Sequence, residues 1–74
     1  MARKRTYFSL LVRFPDTGRW SPEFGDYSRA VVEEEMRDYR DHDYKARDLK
    51  IIATGDKPAD VSAAVRALNY GKDN

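Results

Sequence analysis

Cysteine is absent from the 74 residues, which excludes disulfides, thiolate metal sites and cysteine nucleophiles. Histidine occurs once, at His42, beside Asp41 and Asp43. One imidazole is too few for a zinc or iron centre, which needs several His, Cys or carboxylate ligands at set spacing. The carboxylates do not follow the Asp-x-Asp-x-Asp-Gly loop of a calcium site. Ser9, Ser21, Ser28 and Ser62 lie in no Gly-x-Ser-x-Gly elbow. The four scattered glycines form no phosphate-cradling loop. No apolar run approaches the roughly 20 residues that cross a bilayer. The basic start Met1-Ala2-Arg3-Lys4-Arg5-Thr6 is followed by an apolar stretch that ends at Arg13 and Pro15, too short for a signal peptide. The expectation is a cytoplasmic protein without membrane contact, catalytic residues, metal or cofactor.

What the chain has is charge, unevenly placed. It carries 14 basic and 13 acidic residues, a net of +1. Residues 25–44 hold seven acids (Asp26, Glu33, Glu34, Glu35, Asp38, Asp41, Asp43) against three arginines, a local −4, between flanks of +3 and +2. A small domain with a two-signed surface is suited to contact with another macromolecule. A chain of this length buries only about 60–65% of the surface that its unfolded form exposes. It therefore makes one modest core and leaves little room for a deep pocket as well.

Hydrophobic periodicity predicts an α+β fold in the order β-β-α-β-α. In residues 6–14, Phe8, Leu10, Val12 and Phe14 alternate onto one face, and Tyr7, Ser9, Leu11 and Arg13 onto the other. Pro15-Asp16-Thr17-Gly18 is a hairpin turn in which the glycine supplies a positive φ. A second strand runs over about Arg19–Phe24, with Trp20, Pro22 and Phe24 on one face; Pro22 suits an edge strand. Ser28 is the expected N-cap of a helix over 29–42, with Val32, Met36 and Tyr39 inward. Glu33 to Arg37 is the kind of i,i+4 pair that supports such a helix. Asp48–Thr54 reads as a third strand, with Leu49, Ile51 and Ala53 on one face and Lys50, Ile52 and Thr54 on the other. Pro58 and Asp60 open a second helix whose inner side is Val61, Ala64, Val65 and Leu68, with Asn69 and Gly71 as stop signals. The expected sheet is mainly antiparallel, in spatial order 2-1-3, with both helices packed on one face. The division is a basic, disordered arm over residues 1–5, one domain over 6–70 and a frayed end over 71–74.

Two surfaces are candidates for binding. One is the outward acidic face of the first helix, Glu34, Asp38 and Asp41. The consecutive Glu33, Glu34 and Glu35 splay through about 200° and cannot converge on one substrate. The other is the sheet face expected to stay open, where Tyr7, Leu11, Arg13 and Ile52 form an apolar patch with a charged rim. That face would serve either a foreign protein or a homodimer. Arg3, Lys4 and Arg5 make an arm that, extended by Arg13, Arg19, Lys45, Arg47 and Lys50, gives an alternative role in nucleic-acid binding. The acidic helix and the small net charge weigh against that alternative.

The runs Tyr7-Phe8-Ser9-Leu10-Leu11-Val12-Arg13, Trp20-Ser21-Pro22-Glu23-Phe24-Gly25-Asp26-Tyr27 and Asp48-Leu49-Lys50-Ile51-Ile52-Ala53-Thr54 resemble a group of small phage and prophage proteins of bacteria, over roughly residues 6–70. The group has no assigned activity, so the resemblance transfers no functional residue. It implies an accessory phage protein acting in the host cytoplasm. Such proteins often bind and redirect a host protein, and some inhibit a host defence complex in the manner of an anti-CRISPR. Residues and resemblance together lead to the expectation of a non-enzymatic module that binds a host or phage protein.

Overall fold

The computed structural model describes residues 5–70. The expected arm over 1–5, apart from Arg5, and the end over 71–74 lie outside the described residues. Five principal elements follow in the order expected: β1 (Thr6–Phe14), β2 (Arg19–Asp26), α1 (Arg29–Asp41), β3 (Leu49–Gly55) and α2 (Pro58–Leu68), with a short 3-10 turn at Ala46–Asp48 before β3. The sheet has three strands in the order β2-β1-β3, and β1 is antiparallel to both neighbours. β2 and β3 are therefore parallel to each other, and the connection through α1 passes over β1.

The local signals act through identifiable bonds. Gly18 takes φ 73°, and its N–H donates to the Phe14 carbonyl at 2.7 Å, closing the hairpin. The Asp26 carboxylate accepts the Ser28 N–H at 2.7 Å, and the Ser28 hydroxyl accepts the Val31 N–H at 3.4 Å, so the chain enters α1 through two side-chain bonds. The first turn of α1 carries an Arg29–Glu33 pair at 3.3 Å, where the sequence predicts one between Glu33 and Arg37. Pro58 at the start of α2 presets the helical φ where its missing N–H costs nothing.

The side chains of β1 divide between two cores, and this corrects the expectation that both helices share one face. α1 covers the face that carries Phe8, Leu10 and Val12. Leu10, Val12, Val32 and Leu49 form the buried centre there, with Phe8, Phe24, Met36, Tyr39 and Ile51 packed around it. Ser9 and Leu11 point away from α1, yet Ser9 is only 2% exposed and Leu11 0%. α2 supplies the cover. Its Val65 is buried outside the α1 cluster, Val61 and Ser62 line a groove with Tyr7 and Ser9, and Asn69 binds the Trp20 backbone. The contiguous apolar run Leu10-Leu11-Val12 is what a central strand covered on both faces requires.

The inner residues of β2 are split in the same way. The pairing of β1 with β2 shifts between Leu10 and Leu11: Leu10 lies opposite Phe24, and Leu11 lies opposite Pro22, so Glu23 is an extra residue. A bulge of one residue reverses the facing of everything beyond it. Phe24 packs beneath α1, and Trp20 turns to the α2 face, where Arg13 and Lys50 approach its ring at 5.4 and 5.7 Å. The expected common face for Trp20, Pro22 and Phe24 is corrected accordingly. Phe14, expected in the core, is 43% exposed because it ends the strand at the turn.

Candidate functional site

Glu34, Asp38 and Asp41 recur at i, i+4 and i+7 on α1, and Val32, Met36 and Tyr39 repeat the same spacing two residues earlier. Two residues correspond to about 200° around a helix, so packing one stripe on the sheet drives the other to the solvent side. All three acids are exposed. None makes a side-chain hydrogen bond or ion pair among the described residues. Among the described residues, four other carboxylates are engaged, Asp26 at the α1 entry, Glu33 with Arg29, Asp48 with Arg13 and Asp56 with Tyr27, whereas Glu35 and Asp43 beside the stripe are not. Arg37 and Arg40 are exposed on the same helix beside the stripe.

The helix ends in a compact cap. His42 Nδ1–H donates to the Asp38 carbonyl at 2.7 Å, and the Tyr44 N–H reaches the Tyr39 carbonyl at 3.2 Å. Asp43 turns the chain at φ 75°. Tyr44 then stacks edge-on against Tyr39, their centroids 5.0 Å apart. With Glu35, Asp38 and His42, the two tyrosines border a small open depression of about 320 Å³ at one flank of the acidic stripe. Burial, followed by the nearby Glu23 and Glu35 carboxylates, raises the Tyr39 pKa above 10.0. The histidine noted in the sequence thus holds a helix terminus. Among the described residues, no group of three His, Cys, Asp or Glu side chains converges on a common point.

The second candidate surface is not open. Leu11 has no exposed surface. Arg13 pairs with Asp48 at 2.9 Å and lies over Trp20. Tyr7 meets Tyr27 edge-on at 5.1 Å, and its ring lies over Gly25, where a Cβ would collide with it. Ile52 is half-buried. Of the residues expected to form an apolar patch, Arg13 lines a separate depression with Pro15, Lys45 and Arg47, and Tyr7 lines a larger accessible space. This is an open groove of about 670 Å³ between α2 and the β1–β2 end, also lined by Pro22, Gly25, Tyr27, Val61 and Ser62. Tyr27 bridges the groove's rim. Its hydroxyl donates to Asp56 at 3.1 Å, and that bond is the main cause of a pKa raised above 10.0. Arg5 stacks on the outer face of the Tyr27 ring at 4.0 Å. Sequence reasoning missed this groove; its signal was Gly25 in a strand beside two tyrosines, where a ring covers a missing side chain.

Among the described residues, no helix is long and apolar enough to cross a membrane. In comparisons with known proteins the chain matches no family model, and neither a curated protein nor a solved structure shows significant similarity to it.

Proposed function

We propose that the protein is a non-enzymatic binding module of phage origin, whose acidic stripe on α1 engages a basic surface of a host protein and so inhibits a host defence complex. One observation carries the reading: Glu34, Asp38 and Asp41 stand exposed and unpaired as one stripe on the side of α1 opposite its core contacts, whereas Asp26 and Glu33 are engaged within the fold. Unpaired charge on a rigid helix loses no internal bond on association. It complements a groove built for nucleic acid, and complementary charge sets on-rate and specificity. The resemblance of the three strands to small phage proteins supplies the biological setting and the host cytoplasm as the place of action.

The test is capture from bacterial lysate with the full chain as bait, with and without nuclease. The combined variant Glu34→Lys, Asp38→Lys and Asp41→Lys is expected to keep its circular dichroism spectrum and lose the captured protein. Capture that persists in that variant contradicts the acidic-stripe reading. Capture that disappears with nuclease favours the nucleic-acid alternative. For that alternative, Arg5 and Arg13 are already stacked or paired within the fold.

A further inference from the structure

The sheet has two edges, and the sequence treats them differently. The outer edge of β2 is blocked in three ways. Pro22 removes a donor, the bulge at Glu23 breaks the regular spacing, and Asn69 from the end of α2 occupies the Trp20 backbone. There the Asn69 Oδ1 accepts the Trp20 N–H at 2.7 Å, and the Asn69 amide donates to the Trp20 carbonyl at 2.9 Å. These are the devices by which natural sheets prevent edge-to-edge pairing.

β3 carries none of them. Leu49–Gly55 contains no proline, pairs with β1 in unbroken register and holds one charged residue, Lys50. Among the described residues, the backbone of residues 50–54 bonds to nothing outside that ladder. Ile51 and Ile52 remain half-buried and Ala53 exposed, although the first lies on the α1 face and the second on the α2 face. What these residues lack is a neighbour beside them. That neighbour must be apolar on both faces.

We propose that β3 pairs antiparallel with β3 of a second copy of this chain, across a two-fold axis perpendicular to the sheet. Such an axis keeps each face on its own side, so Ile51 of both copies extends one core and Ile52 of both extends the other. With the axis at Ile51 or Ile52, each Lys50 lies opposite Ile52 or Thr54 of the second copy, never opposite the other Lys50. Two sheets of three strands become one of six, whose outermost strands are the two blocked β2 edges. The assembly therefore closes at two, as isologous contacts do. A foreign strand would satisfy one edge without this closure.

Light scattering on the full chain over a micromolar-to-millimolar concentration series tests the proposal. The expected result is a mass rising from 8.6 kDa to twice that value. Ala53→Lys, at an exposed site on the edge, is expected to stay folded and monomeric; Ala53→Pro removes an edge donor and is the second probe. The triple α1 variant is expected to dimerise like the parent chain, which separates this surface from the acidic stripe. A mass of 8.6 kDa at every concentration, or a dimer unaffected by Ala53→Lys, overturns the proposal.

Discussion

At the residue scale, the Arg13–Asp48 pair is the clearest case of charge spent inside the fold. Asp48 is buried at the end of the 3-10 turn before β3, and its carboxylate receives both Arg13 Nε at 3.0 Å and Arg13 Nη2 at 2.9 Å. Removing the arginine leaves a desolvated carboxylate without a partner, and the partial exposure of Arg13 moderates the penalty. Arg13→Met is therefore expected to destabilise by about 1–3 kcal/mol in urea denaturation. Two tyrosines add a pH dependence. Tyr39, half-buried and near carboxylates, and Tyr27, bonded to Asp56, both have pKa values raised above 10.0. The unfolded chain binds fewer protons than the folded chain once pH exceeds the ordinary tyrosine value. Their contribution is therefore complete below about pH 10 and lost as pH rises through the folded values. The urea midpoint is expected to fall in that alkaline range, and Tyr27→Phe with Tyr39→Phe should flatten the fall.

At the scale of elements, what was legible in the sequence was what short-range chemistry dictates. The alternation of β1, the Gly18 turn, the Ser28 cap and the Pro58 start each act within a few residues, and each stands where it was expected. The layering was not legible by that route. From periodicity alone Leu11 and Ile52 are exposed apolars on an open face, because the chain has no marker of which side α2 takes after β3. The bulge at Glu23 was hidden for a related reason: only pairing with β1 reveals the extra residue, and it reverses Trp20 against Phe24. The acidic stripe was legible because helical periodicity alone places it. Two variants check the two-core arrangement. Leu11→Ala should cost about 2–4 kcal/mol if α2 covers it, against under about 0.5 kcal/mol for an exposed position. Asn69→Ala should cost about 1–2 kcal/mol and speed hydrogen exchange at the Trp20 amide, since it frees two backbone groups at the β2 edge.

At the scale of the whole molecule, the two helices and the two sheet edges differ in what they cover and what they leave exposed. One helix buries an apolar stripe and displays an acidic one. The other closes the opposite sheet face and protects an edge. One edge is left fit for pairing. The proposed binding stripe takes no part in the packing of the fold, so altering Glu34, Asp38 and Asp41 should leave stability within about 0.5 kcal/mol of the parent. Binding through that stripe should weaken as salt rises, because exposed charges are screened within about 8–10 Å at physiological ionic strength. The most direct measurement is nuclease-treated capture from bacterial lysate at low and high salt, comparing the parent chain with the neutralised variant Glu34→Gln, Asp38→Asn and Asp41→Asn. The account predicts a protein retained by the parent at low salt, weakened at high salt and absent with the neutralised chain. Equal retention by both chains at low salt would contradict it.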